Sequence, residues 1–320
     1  MKEVGGYFEL ERAYGKEYHE GLVALNTGRN ALLYILKSRQ IKKLYIPYYL
    51  CDSVSRMCDR EGYVYEYYPI GRDWLPDFRK PLDDGEYLYI VNFYGQLSNA
   101  VLGELKTRYR NVIIDNVHAF FQEPLADTDT IYSCRKFFGV PDGAYLATDS
   151  LLQEKLDTDV SMDRMKHLLG RLEGDSASNY HADFKNNDIS FRTRPLRYMS
   201  LLTHNILRSI DYDRIIRIRE ENYRMLHAQL SEYNEISVSY PVGPYAYPFY
   251  FKQGMELRKR LADKKIYVAT LWPNVLGCKD EVAGDYAENI LPLPCDQRYG
   301  EEDMKRIAES VIEHMTVYDK

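Results

Sequence analysis

No stretch of this chain is apolar enough to cross a bilayer; the longest run, LYIVNFY, falls far short of the ~20 residues a spanning helix needs. The opening residues, MKEVGGYFELERAYGKEY, are charged and lack an apolar centre, so no secretory leader is expected there. Cysteine is sparse. The five that occur, Cys51, Cys58, Cys134, Cys278 and Cys295, are odd in number and lack paired metal-ligand spacing, which points to reduced thiols and no metal site. An excess of basic charge is also missing: the net charge of −6 offers no footprint for nucleic acid. Internal repeats and low-complexity tracts are absent. A soluble, cytoplasmic protein with no nucleic-acid or membrane partner is the expectation.

Tyrosine, by contrast, is abundant, with 30 residues in 320. Several fall in strand-like runs, Tyr63-Val64-Tyr65-Glu66-Tyr67-Tyr68 and Tyr245-Ala246-Tyr247-Pro248-Phe249-Tyr250. Such rings suit half-buried pleated surfaces, so core and interface packing is their plain role.

Apolar spacing predicts a helix over 29–38, a strand over 43–46 stopped by Pro47, a helix over 52–60 and a strand over 63–68. The run 86–92 reads as a strand buried on both faces, 103–110 as a crossover helix and 111–115 as another buried strand. Further strands are expected at 130–133 and 144–148. Strands alternating with helices indicate a mostly parallel α/β sheet. Beyond residue 151 the pattern predicts helix over 151–172, a polar stretch over 173–187 that includes Gly174 and Asp175, and a long arginine-rich helix over 195–230. Strands at 236–240, 247–252 and 265–269, with helices at 255–263 and 301–315, suggest a smaller α+β domain. The division expected is 1–215 for a large α/β domain and 216–320 for the smaller one.

Four features could carry chemistry. Thr27-Gly28-Arg29-Asn30 is a turn entering a helix, where free amides and the helix dipole favour an anion. Asp115 ends a buried strand, at the edge where open α/β sheets bind ligands, and His118 follows it. Ser133-Cys134-Arg135-Lys136 follows the next strand, and Asp142-Gly143-Ala144 leads into another. Singly, each has an ordinary explanation: a helix cap, a satisfied polar side chain, a solvated lysine. Jointly they match pyridoxal-phosphate chemistry, which needs a lysine amine, a carboxylate against the pyridine nitrogen and anchors for a phosphate. His118 could hydrogen-bond the ring oxygen or lie against the ring.

The same segments resemble the DegT/DnrJ/StrS-type sugar aminotransferases, which have the fold type I pyridoxal-phosphate architecture. Asn26-Thr27-Gly28-Arg29-Asn30-Ala31-Leu32 is similar to that family's Ser-Gly-Thr-x-Ala-Leu turn, and Val91-Asn92-Phe93-Tyr94-Gly95 to its Val-His-x-Tyr-Gly strand. Ile46-Pro47 before a helix resembles its Pro-x-x-Thr segment, and Ile114-Asp115-Asn116-Val117-His118-Ala119 its Asp-x-Ala-(His/Gln)-Ala motif. Lys136 stands at the family spacing from Asp142-Gly143-Ala144, and Ile290-Leu291-Pro292-Leu293-Pro294 resembles the closing segment. The resemblance implies Lys136 as the cofactor-bearing lysine, Asp115 as the pyridine-nitrogen partner, His118 near the ring, and Gly28, Arg29 and Ser133 about the phosphate. Thr27, Asn30 and Cys51 complete the expected cofactor contacts. Cys51 departs from the pattern, occupying the position where the family carries an aromatic ring; Tyr48, Tyr49 or Tyr94 could substitute for it. Ser133 also stands closer to the lysine than is usual, and the amino-terminal arm is short.

The reaction so implied moves an amino group from an amino acid such as glutamate to a nucleotide-linked keto-sugar, in a homodimer with shared sites, for polysaccharide assembly. Residues 180–197 are the candidate segment crossing to the neighbour. Tyr94, Arg192, Arg194 and Trp272 are candidate substrate contacts. A lyase or dehydratase, a transaminase of non-sugar ketones, and a catalytically inactive binding module are the competing readings.

Overall fold

The computed structural model describes residues 4–174 and 177–318. Its centre is a seven-stranded sheet built from β1 (Val23–Leu25), β2 (Lys43–Pro47), β3 (Val64–Tyr68), β4 (Glu86–Val91), β5 (Val112–Asp115), β6 (Asp129–Ser133) and β7 (Ala144–Ala147). Strand order is β1-β7-β6-β5-β4-β2-β3. Pairing is parallel from β3 through to β6, and β7 runs antiparallel to both of its neighbours. Helices α1 (Gly28–Ser38), α2 (Asp52–Glu61) and α3 (Asn99–Tyr109) connect the strands. The β4 and β5 residues Leu88, Ile90, Ile113 and Ile114 are almost fully buried, as strands covered on both faces must be. They pack with Leu32, Leu33, Ile35 and Leu36 of α1 in one continuous core. Each such side chain removed from water contributes roughly 1.5–3 kcal/mol.

The second half contains α4 (Lys166–Gly174), α5 (His181–Ser190), α6 (Leu201–Leu207), α7 (Tyr212–Leu230), α8 (Gly254–Asp263), α9 (Glu281–Asn289) and α10 (Glu301–Tyr318). An antiparallel pair, β8 (Tyr247–Tyr250) and β9 (Ile290–Leu293), carries a separate core with α7, α8 and α10. Tyr250, Leu271, Trp272, Tyr286 and Ile290 instead join the core of the large sheet, so the two halves are packed together.

Several local expectations give way here. Residues 151–161 are not helical: Asp159 and Tyr198 bond through their backbones and Thr158 bridges to Tyr198, so long-range pairing replaces the helix there. The helix expected over 195–230 is two helices, because Asp211 caps a new start by accepting from the Arg214 amide at 3.0 Å. No strand forms at 236–240, where the Ser239 amide is taken by Gln96, or at 265–269. Ile266 and Val268 are nevertheless buried, so their alternation reported burial and not a ladder. Residues 180–197, the candidate segment for crossing to a neighbour, contain helix α5, where Asn187 Nδ2 donates to the Pro141 carbonyl at 3.1 Å. Asp175 of the polar stretch lies outside the described residues. Among the described residues, no helix is long and apolar enough to cross a membrane.

Candidate active site

Parallel strands bring their carboxyl ends to one edge of the sheet, and the candidate residues gather there. Asp115 is the last residue of β5, in register with Val91 of β4 and Ile131 of β6. Lys136 lies three residues beyond the end of β6, in a single 3-10 turn, Cys134–Lys136. That turn is tied down by Cys134 N–H to the Gly143 carbonyl and by Gly143 N–H to the Asn26 carbonyl. The loop bearing the lysine is thereby joined to the approach to α1.

Asp115 is buried, and burial pushes its carboxyl up to about 6. Opposing that shift, Tyr89 Oη donates to Oδ2 at 2.5 Å, the Val117 amide donates to Oδ1 at 2.9 Å, and the Lys136 charge stands nearby. His118 is buried with both ring nitrogens lacking a hydrogen-bond partner. Burial, then the Lys136 charge, holds it well below the usual imidazole range, so the ring is neutral. Stranding two ring nitrogens costs free energy, and such orphans ask for a ligand or a role.

The start of α1 faces the same edge. Thr27, extended at φ −150°, accepts from the Asn30 amide at 3.1 Å and caps the helix. The first-turn amides at Gly28 and Arg29 have no carbonyl behind them. A Cβ on Gly28 would meet only Val117 Cγ1 at 3.7 Å and Ile131 Cγ2 at 3.9 Å, so protein packing leaves room there. Arg29 and Arg135 are both desolvated, each with its charged form disfavoured chiefly by burial, and each feels the other's charge or that of Arg60. Among the described residues, Asp188, at 3.4 Å from Arg135, is the single carboxylate bridged to this pair, and it is largely exposed. Positive charge therefore exceeds negative at the helix start, and half-exposed Ser133 ends the strand beside it.

The remaining candidates divide. Tyr94 and Trp272 are buried walls of the site, with ring centroids 5.6 and 5.8 Å from His118. Tyr94 takes a left-handed φ of 55°, uncommon for a bulky residue, and its hydroxyl lies 3.2 Å from that of Tyr49. Tyr48 is elsewhere, stacked on Tyr67. Cys51 precedes α2 and is close enough to Arg29 to act on its charge. The Asn30 amide is committed inward, to Asn26 Oδ1 at 2.8 Å and the Pro195 carbonyl at 2.9 Å. Arg194 turns to Asp159, a carboxylate it shares with Arg164 and Arg197, and Arg192 contributes its carbonyl to Arg60.

Three neighbours escaped the sequence reading. Tyr89 bonds Asp115, Arg135 joins the cationic cluster, and Tyr245 lies parallel to His118 with centroids 4.3 Å apart. Lys136 Nζ stands 5.4 Å from the Tyr245 ring centroid. Tyr89 was legible only through register: it is two residues before Val91, the partner of Asp115, and so shares its face.

The unpartnered imidazole, the buried carboxylate, the adjacent lysine and the cationic helix start together fit pyridoxal phosphate. Among the described residues, no group of three or more His, Cys, Asp or Glu stands together as metal ligands.

No family model matches the sequence, and no curated protein matches it. Its fold, however, is similar to solved structures. A DegT/DnrJ/EryC1/StrS aminotransferase from Brucella abortus superposes with a TM-score of 0.61 at 13% identity, covering 92% of this chain and 86% of that one. NtdA from Bacillus subtilis, solved with bound cofactor PMP, gives 0.64 at 14% identity over 91% of this chain and 72% of its own. PseC of Helicobacter pylori, an aminotransferase involved in pseudoaminic acid biosynthesis, gives 0.60 at 15% identity, with 91% and 85% covered. The chain has the α/β fold type I architecture that the motifs implied.

Proposed function

We propose that the chain is a pyridoxal-phosphate-dependent aminotransferase that moves an amino group from an amino acid such as glutamate to a keto-sugar, nucleotide-linked, in polysaccharide biosynthesis. The observation that carries this reading is the convergence of Lys136, Asp115 and unpartnered His118 opposite the start of α1. Lys136 is the amine that would hold the cofactor's carbonyl carbon. Once freed, it would serve as the base moving a proton to and from the donor's α-carbon. Asp115 would keep the pyridine nitrogen protonated, and a cation there would in turn favour its own ionised form. His118, neutral and walled by Tyr245, Trp272 and Tyr94, has a ring nitrogen free to hydrogen-bond the cofactor ring. The Gly28 and Arg29 amides, Ser133 and the Arg29 guanidinium would hold the phosphate. Bound pyridoxal phosphate supplies the electron sink that lets the α-proton leave.

A twofold homodimer and a cytoplasmic setting belong to the same proposal. Exposed apolar side chains at Leu172, Leu201 and Met162 supply surface for a dimer, and free thiols at all five cysteines suit a reducing compartment.

The test is visible absorbance of the purified chain with added pyridoxal phosphate, beside Lys136→Ala. A band that borohydride traps in the parent and that Lys136→Ala abolishes is the expected result. Glutamate should then convert the parent's band to that of the pyridoxamine form. An equal band in both proteins would remove Lys136 from its role, and no band in either would overturn the proposal.

A further inference from the structure

The chain is acidic, yet one cleft whose lining shares no residue with the Lys136 site gathers cations. It lies between α4, the 265–267 segment that follows α8, and α10, has a volume of about 200 Å³, and is lined in part by Arg171, Lys265, Arg298 and Arg306. Among the described residues, Asp303 is the only carboxylate on its wall. Arg298 is neutralised by Asp296, with contacts at 2.6 and 2.8 Å. Among the described residues, Arg171, Lys265 and Arg306 form no ion pair at all, although most other charged side chains nearby are paired. Three cations without an ion pair, on separate elements, thus line one concave space, although the Arg306 guanidinium also donates to the Lys264 carbonyl; an anion entering there would offset their like charge.

The size and lining identify the anion. Sites that bury a whole drug-sized ligand run to roughly 300–1,000 Å³, so this cleft takes a headgroup and leaves the remainder outside. Guanidinium forks match phosphate oxygens, and a diphosphate offers enough charge for two arginines and a lysine. Tyr267 stands at the rim with 69% of its surface exposed, a ring available to whatever the headgroup carries.

We propose that this cleft is a binding site for the diphosphate group of a small phosphorylated ligand, with Arg171, Lys265 and Arg306 on the phosphates and Tyr267 against an attached ring. Such a ligand bridges α4 to the C-terminal core. The site does not depend on the reading of Lys136, since it shares no residue with that edge of the sheet.

Calorimetric titration of the full chain with inorganic pyrophosphate and with uridine diphosphate tests it, first with pyridoxal phosphate present to fill the other anion site and then without it. Arg171→Glu is the variant of choice: Arg171 is exposed on α4 and, among the described residues, forms no ion pair, so its reversal should spare the fold. Binding is expected in the parent, weakened at least tenfold by Arg171→Glu and strongly by 0.5 M salt. Tighter binding of uridine diphosphate than of pyrophosphate, with the difference lost in Tyr267→Ala, would identify a ring-bearing ligand. Equal affinity for the two probes would overturn the role given to Tyr267. No binding of either, or binding that Arg171→Glu leaves unchanged, would overturn the site. Binding that appears only when pyridoxal phosphate is omitted would do the same, because the anion would then belong to the Lys136 edge.

Discussion

Tyr245 and His118 lie ring on ring, their centroids 4.3 Å apart and their planes within 1°. Buried Arg219 of α7 holds the arrangement from behind. It donates to the Pro244 carbonyl at 2.9 Å and to the Phe137 carbonyl at 3.2 Å, with its guanidinium carbon 4.7 Å from the Phe137 ring centroid. Phe137 is the residue after Lys136. One side chain thus couples the lysine loop to the loop that delivers Tyr245.

Replacing Tyr245 should weaken pyridoxal-phosphate binding through loss of the stack on His118 and of the ring beside the Lys136 ammonium. Together these are worth roughly 1–2 kcal/mol, so Tyr245→Ala should raise the Kd about tenfold. Tyr245→Phe keeps the ring and should bind as the parent does. Titration of the absorbance band measures both; equal losses would assign the effect to the hydroxyl.

Arg219→Met sets two large effects against each other. It relieves the burial of a charge that, among the described residues, lacks a directly bonded carboxylate, but it leaves the Pro244 carbonyl with only the Cys295 thiol at 3.9 Å and removes one of the two donors to the Phe137 carbonyl, where Gln297 remains at 2.8 Å. Lost charge-assisted bonds should prevail, with a net cost of about 2 kcal/mol in urea unfolding. A stabilised variant would mean that desolvation dominates.

The raised Asp115 carboxyl makes a signed prediction. Its folded value of about 6 lies above the ordinary aspartate value of 3.8, so the folded state holds the extra proton between them. That contribution is complete below pH 3.8 and is lost as the pH rises through 6. Without cofactor, the parent should lose up to about 3 kcal/mol relative to Asp115→Asn across this window. Urea melts of both proteins between pH 3.5 and 7 check it, and parallel stability curves would deny the shift.

Gly143→Ala should destabilise the lysine loop. Gly143 has φ +113°, and a Cβ there would meet Thr203 Cγ2 at 3.0 Å and Cys134 Cβ at 3.2 Å. Strain and crowding together cost about 2–4 kcal/mol, read as a lower thermal midpoint. An unchanged midpoint would mean that the turn relaxes.

Where hydrophobic period and turn chemistry agreed, the sequence was readable. The helix over 29–38 and the strands ending at Asp115 and Ser133 appear within a residue or two of expectation. β1, β9 and α9 were not read: β1 has three residues, and β9 contains Pro292, which speaks against a strand. That Lys136, Asp115 and Gly28 would gather at one sheet edge was legible, because they sit at fixed offsets from strand ends. That the Asn30 side chain turns to Asn26 and Pro195, and Arg194 to Asp159, was not legible, since spacing does not say which way a side chain turns.

By itself, the amino-acid sequence determined the alternation of strands and helices, and with it the edge where Asp115, Ser133 and the start of α1 meet. Period and connection rules are local, and the carboxyl ends of parallel strands must share an edge. Only the tertiary structure decided that Tyr245, Arg219 and Trp272 arrive at that edge, or that Arg171 faces Lys265 and Arg306 across a cleft. Those contacts join residues tens to more than a hundred positions apart. Such closures are selected by the total free energy of packing two cores together, which no local pattern encodes.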